Sequence, residues 1–181
     1  TMAFMLYAIF KYPELRAGIQ NEAAALFAEG GPTPAQLRQA DVLHRTALET
    51  LRRYPVVPAV QRTVTEPFEF AGYRVDAGQR LFIGTTVVHF DEQHHPDPER
   101  FDIERYAAPR AEHRIPGAFA PYGMGTHTCL GAGLAEAQIM LTVATMLHSD
   151  QFEMDPPGYE LKIRPLPTNA PADNFRLRRV R

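Results

Sequence analysis

Proline sets the first limit on this chain. Of 16 prolines, three precede Pro55 and thirteen run from Pro55 onward. A proline inside a helix removes a backbone donor and clashes with the preceding turn, so helices are expected in the first third and loops with short strands beyond it. Met5, Leu6, Ile9 and Phe10 follow helical spacing. Pro13 restarts a helix that carries Leu15, Ile19, Ala23 and Leu26 on one face and stops at Gly30-Gly31. Thr33-Pro34-Ala35-Gln36 is a capping box with proline at the first helical position. Leu43, Ala47, Leu48 and Leu51 continue that helix as an apolar stripe ending before Pro55.

Shorter elements follow. Phe68-Glu69-Phe70 and Tyr73-Arg74-Val75 alternate around Ala71-Gly72, and a further strand over residues 80–83 follows Asp76-Ala77-Gly78, which predicts a small antiparallel sheet. Residues 89–122 are rich in Pro, His and Arg without periodicity, and so long an irregular stretch in a compact domain is commonly functional. Residues 130–147 read as an apolar helix buried on most sides. The tail alternates over residues 159–163 and 175–180, which predicts a closing hairpin. The fold class expected is mainly α with small antiparallel β-sheets, in one domain spanning residues 1–181.

Composition removes several function classes. The net charge is −2, with 19 Lys and Arg against 21 Asp and Glu, which provides no basic field for nucleic acid or an acidic membrane. A single cysteine cannot form an internal disulfide, so a reducing compartment fits best. The apolar start is cut off by Lys11, Glu14 and Arg16, too early to span a bilayer, and it lacks the flanks of a secretory signal. It also opens inside a helical pattern with no cap before it, which suggests that Thr1 lies partway through a larger protein.

Three segments can carry chemistry. Cys129 sits in Tyr122-Gly123-Met124-Gly125-Thr126-His127-Thr128-Cys129-Leu130-Gly131, just ahead of the apolar helix. A lone cysteine is most often a small buried hydrophobe. Here Gly123 and Gly125 allow a tight turn and close approach to a flat ligand, and the helix start directs amides at the sulfur, favouring thiolate. Such a thiolate could be a nucleophile, a zinc ligand or an axial haem ligand. Zinc needs three or four protein ligands, and the other histidines show no paired spacing with Cys129. A cysteine hydrolase needs a histidine base, for which His127 is too close along the chain. Glu49 and Arg52 lie three apart on one helical face, a spacing common to surface ion pairs. Pro98-Glu99-Arg100-Phe101 alone reads as a turn with a solvated charge pair.

In this order, the three segments resemble the cytochrome P450 family of haem-thiolate monooxygenases. Glu49-Thr50-Leu51-Arg52 is similar to the family's Glu-x-x-Arg motif, Pro98 to Phe101 to its Pro-Glu-Arg-Phe segment, and Tyr122 to Gly131 to its haem-binding loop. The resemblance covers the chain but only the C-terminal part of the family fold. It implies haem b (iron protoporphyrin IX), with Cys129 as catalytic residue and axial ligand of the iron. Gly123, Gly125 and Gly131 would let the loop lie against the porphyrin, with Tyr122 beneath it. His127 and Arg62 would meet the propionates, and Glu49, Arg52 and Arg100 would form a buried ion triad. Residues 57–60 and 168–170 would line a pocket for a lipophilic substrate.

The resemblance also implies a monomer that takes electrons from a ferredoxin or flavoprotein, with Arg110, His113 and Arg114 as candidate docking residues. It suggests a soluble, bacterial-type cytoplasmic protein, although the family's membrane anchor lies at an N-terminus outside this sequence. Two departures stand out. Tyr122 replaces the usual phenylalanine, and its hydroxyl needs a partner if buried. The family's oxygen-activating acid–alcohol pair lies upstream of Thr1. A non-catalytic haem-binding fragment and a cysteine hydrolase are therefore kept as alternatives.

Overall fold

The fold begins with a helix that is buried on nearly every side. In the computed structural model, which describes residues 1–28, 30–165 and 167–180, α1 (Met2–Lys11) buries Phe4, Met5, Leu6, Tyr7, Ala8 and Ile9. α2 (Pro13–Phe27) buries the expected Leu15, Ile19, Ala23 and Leu26. α3 (Pro34–Gln39) opens on the expected capping box: Thr33 Oγ1 accepts from Gln36 N at 3.2 Å, and Thr33 N donates to Gln36 Oε1 at 2.8 Å.

The single helix expected after Thr33 is in fact two, because the backbone turns out of helical geometry at Ala40. α4 (Asp41–Arg53) then begins without a local side-chain cap. Its first amides are taken by Glu22 of α2, which accepts from Val42 N and Leu43 N at 2.8 Å each. A carboxylate at a helix N-terminus satisfies orphan donors and opposes the positive end of the dipole.

α5 (Ala132–Ser149) packs Ile139, Met140, Val143, Ala144 and Leu147 into the core. It is not buried on most sides as expected: its apolar residues are spread around the helix, and Leu134 in the first turns faces solvent. The strands form separate pairs. β1 (Val60–Thr63) runs antiparallel to β4 (Arg80–Ile83), with Arg62 opposite Leu81. β2 (Phe68–Phe70) and β3 (Tyr73–Val75) form the expected hairpin. The expected tail hairpin between residues 159–163 and 175–180 does not form, and one local and one longer-range pair stand in its place. β5 (Phe152–Asp155) pairs with β8 (Arg176–Arg179), and β6 (Ile163–Arg164) with β7 (Ala170–Pro171).

A buried polar network ties α4 to the irregular segment behind the cysteine loop. The side chains of Glu49 and Arg52 are fully buried, and Arg52 grips Glu49 with two hydrogen bonds of 2.8 Å. Arg52 also donates to the carbonyls of His89 at 2.7 Å and Pro98 at 2.8 Å. The Glu49 carboxylate further accepts from Asp102 N and Tyr106 Oη, both at 2.9 Å. Burial, followed by the Glu49 charge, raises the Tyr106 phenol well above its usual range, so it remains a donor.

The third member of this network is Arg105, not Arg100. Arg105 is fully buried, faces Glu49 Oε1 at 3.5 Å, and donates to the carbonyls of Pro96 and Asp97 at 2.7 and 2.6 Å. Arg100 contributes only its backbone carbonyl, to Arg52 at 3.2 Å and Arg105 at 3.3 Å, while its side chain is exposed. The reason is packing of the next residue: Phe101 stacks on Tyr12 and Tyr54 at 5.3 and 6.2 Å, which leaves Arg100 pointing outward. The 3-10 turn Ile103–Tyr106 then rotates Arg105 and Tyr106 inward.

His89 lies in the same buried layer. Its Nε2 accepts from Ala120 N at 2.9 Å. Burial pushes its pKa from 6.5 down to about 4, with an interaction of the ring with the Arg52 backbone opposing the shift.

Two outcomes follow for stability. Arg105→Ala should cost about 3–5 kcal/mol, because it leaves a buried carboxylate undercompensated, whereas Arg100→Ala should leave the urea midpoint unchanged. Because the unfolded chain protonates His89 at higher pH than the folded one, stability should fall as pH drops from about 6.5 to about 4. Its contribution is roughly 3 kcal/mol, and His89→Gln should remove that component from the pH dependence of the midpoint.

Candidate haem-thiolate site

The loop that carries Cys129 is built by its glycines and by its own backbone bonds. Gly123 and Gly125 adopt φ of 79° and 70°, in the left-handed region that side chains resist. The chain then turns through the 3-10 segment Gly125–His127, and Thr128 closes that turn with its amide and hydroxyl on the Gly125 carbonyl, at 3.1 and 2.8 Å. Cys129 N donates to the Tyr122 carbonyl at 2.9 Å, which closes the loop across seven residues. α5 starts just beyond, and Cys129 is an exposed free thiol.

Cys129 opens into a cavity of about 640 Å³ that also receives Tyr122, Gly123, His127 and Arg62. The walls are largely apolar: Val57, Val60, Ile83 and Val88 on one side and Met124 on the other. Five of the expected site residues therefore meet in one place, although Arg62 stands on β1, remote in sequence from the loop. Gly125 and Gly131 do not line the cavity. Gly125 shapes the turn below it, and Gly131 accepts the Ala135 amide at 2.8 Å at the start of α5.

The chemistry of this donor set is specific. One thiol at the base, apolar walls and two nitrogen-rich side chains suit a flat apolar group with a thiolate-binding metal and anionic substituents. Iron protoporphyrin has that composition, and the residues fit it. A cavity of this size lies within the range of cofactor sites, about 300–1,000 Å³. No hydrogen bond joins Cys129 Sγ to a histidine among the described residues, so the geometry gives no support to a Cys-His hydrolase.

Tyr122 departs from an ordinary aromatic wall. Its hydroxyl is buried without a hydrogen-bond partner. Burial, then the charges of Glu136 and Cys129, push its pKa up, so it is held as a neutral phenol beside the thiol loop. Glu136 is itself raised by burial, with His44 at 3.9 Å opposing the shift.

The remaining expectations divide. Residues 168–170 do not line the cavity; Asn169 bonds the carbonyls of Val56 and Pro55 at 3.0 and 2.8 Å, next to the cavity-lining Val57. Arg110 is not a free docking charge, because it is bound to Asp102 at 2.8 Å and Glu112 at 2.6 Å. His113 lies against Tyr106, with ring centroids 5.4 Å apart, and Arg114 is exposed. Sequence reasoning missed Arg105, His89, His95 and Glu112. A signal for Arg105 was present: Ile103-Glu104-Arg105-Tyr106 repeats the Glu-Arg-aromatic pattern of Pro98-Glu99-Arg100-Phe101 five residues later.

Comparison with known proteins agrees with this geometry. The sequence profile of the family described as Cytochrome P450 matches residues 1–171. A sterol 14alpha-demethylase of Mycolicibacterium vanbaalenii is 33% identical over 159 residues, covering 87% of this chain and 35% of that protein. The cyclooctat-9-en-7-ol 5-monooxygenase of Streptomyces melanosporofaciens is 32% identical over 146 residues, covering 81% of this chain and 32% of that protein. The chain thus spans about a third of the length of the curated relatives it matches. Among solved structures, the cytochrome P450DA heme domain superposes with a TM-score of 0.83 at 27% identity, covering 99% of this chain and 40% of that one. On sequence, profile and fold together, the chain belongs to the cytochrome P450 family.

Proposed function

We propose that this chain is the thiolate-bearing part of a haem monooxygenase that oxidises a lipophilic substrate with electrons from a ferredoxin or flavoprotein. The convergence of Cys129, His127 and Arg62 on one apolar cavity carries this reading. Haem, when bound, supplies the oxygen-transfer and electron-transfer chemistry. Cys129 would hold the iron through its sulfur, at the mouth of α5. His127 and Arg62 would bind the propionates. Val57, Val60, Ile83 and Val88 exclude water from its apolar body. No helix among the described residues is long and apolar enough to cross a membrane, and a cytoplasmic setting is part of this proposal.

Haem binding without turnover is the second reading. It is favoured by the exposure of Leu130 and Leu134 beside the thiol, since an open site admits water to the group it holds. Peroxide as oxidant separates the two, because it bypasses the electron donor. Substrate oxidation by the haem-loaded chain supports the first reading, and a loaded chain with no oxidation supports the second.

Two outcomes are expected at the site. The reduced carbon monoxide difference spectrum should show the red-shifted Soret band of thiolate ligation, lost in Cys129→Ala; an unshifted band in the parent chain would overturn the role of Cys129. Arg62→Ala and His127→Ala should each weaken haem binding about tenfold, the worth of one charge-assisted hydrogen bond. Iron protoporphyrin dimethyl ester, which lacks both carboxylates, should bind more weakly and respond to neither substitution in a fluorescence-quenching titration.

A further inference from the structure

The three residues that lead into the cysteine loop are clamped one after another. Ala118 O faces His95 Nε2 at 2.9 Å. The Phe119 ring stacks on His89 at 5.3 Å and meets Tyr106 edge-on at 5.9 Å. Ala120 N donates to His89 Nε2 at 2.9 Å. The constraint then passes into the loop, since Ala120 O accepts from Gly123 N at 3.2 Å and Tyr122 O from Cys129 N at 2.9 Å.

The two histidines are both fully buried, with ring centroids 6.4 Å apart, yet they do opposite work. His89 accepts at Nε2, so it is neutral with its proton on Nδ1. His95 faces acceptors at both ends: the Ala118 carbonyl at Nε2 and Glu112 Oε2 at Nδ1, 3.0 Å away. A neutral His95 has one ring proton, so whichever tautomer it takes it sets a ring lone pair against an acceptor oxygen, that of Glu112 at 3.0 Å or that of Ala118 at 2.9 Å. Burial works against the Glu112 charge, but hydrogen bonds from Arg110, His95 and Arg105 outweigh it and hold the carboxyl below its usual range. The charges around His95 are Glu112 and Asp91, with Arg105 sharing Glu112 Oε2 at 3.2 Å, Arg110 on Glu112 Oε1 and neutral His89 alongside.

We propose that His95 is a positioning residue for Cys129: protonated on both ring nitrogens, it ties Glu112 to the Ala118 carbonyl and so fixes where the cysteine loop stands. The proposal rests on the preceding reading only in taking Cys129 as the iron ligand. The charge of His95 matters as well as its shape, because only the doubly protonated ring donates in both directions. His89 assists as the neutral partner that holds the Ala120 amide.

Ring-nitrogen and amide NMR on the chain tests this without haem. His95 should show two protonated ring nitrogens at neutral pH and His89 one. A single ring proton on His95 in the unsubstituted chain would overturn the proposal, and that result needs no variant to fold. In Glu112→Gln, His95 should lose one ring proton and the Ala120 amide should exchange about tenfold faster, as expected for loss of one hydrogen bond to a charged group. His95→Gln, which keeps one donor but no charge, should show the same faster exchange. Unchanged Ala120 exchange in a folded variant that has lost the proton would overturn it too. In the haem-loaded chain, both variants should lose part of the thiolate-type Soret band. If the unsubstituted chain lacks that band while the ring protons and exchange behave as stated, the iron-ligand reading fails and the positioning role stands.

Discussion

A carboxylate taken fully out of water has to be answered on every side, and Glu49 is answered by four separate groups. Arg52 grips it with two bonds, Asp102 offers a backbone amide, Tyr106 a phenol, and Arg105 a second guanidinium. Arg52 comes from α4 itself and the other three from residues 102–106, so satisfying one charge fixes α4 against that segment. The fully buried arginines spend their remaining donors on the carbonyls of His89, Pro96, Asp97 and Pro98. That is how a segment with almost no regular structure is held in place: its backbone acceptors, which a helix or sheet would have used, are taken by two guanidinium forks.

The same layer reaches the cysteine. Arg52 holds the His89 backbone, His89 holds the Ala120 amide, and the turn beyond Ala120 sets Gly123. The cysteine loop and the cavity in front of it are built by different means. The loop is supported from behind by buried polar bonds, while the cavity in front is walled by valines and isoleucine from β1, β4 and their flanks. Packing of that apolar kind tolerates exchange of similar side chains at small cost. A buried charge network does not, because each partner removed strands another.

What could be read from the sequence was what depends on near neighbours. The helix faces of α1 and α2, the capping box at Thr33 and the β2–β3 hairpin are set by residues within a few positions of one another. The cysteine loop was legible too, because its glycines and its cysteine lie within ten residues. The break at Ala40 was not, since the carboxylate that caps α4 belongs to Glu22, twenty residues earlier. Nor was the pairing of β5 with β8, which joins residues more than twenty positions apart. Arg100 and Arg105 show the limit most clearly. Both follow a glutamate and precede an aromatic residue, and only the stacking of Phe101 on Tyr12 and Tyr54 decides which arginine turns inward.

Exposure at the cysteine has a physical consequence for how the site works. Cys129 and Leu130 face outward and Leu134 stands clear of the core, so packing against the thiol itself cannot be what positions it. The position comes from the backbone: the Cys129 amide on Tyr122, the left-handed glycines, and the clamps on residues 118–120. A side chain placed by its backbone is already ordered, and less ordering has to be supplied by whatever binds it. The cost appears at Tyr122, whose hydroxyl is buried with no acceptor, a penalty of about 1–3 kcal/mol for such a group. That cost is tolerable only where the rest of the loop is over-determined, and the bonds behind it supply that excess of constraint.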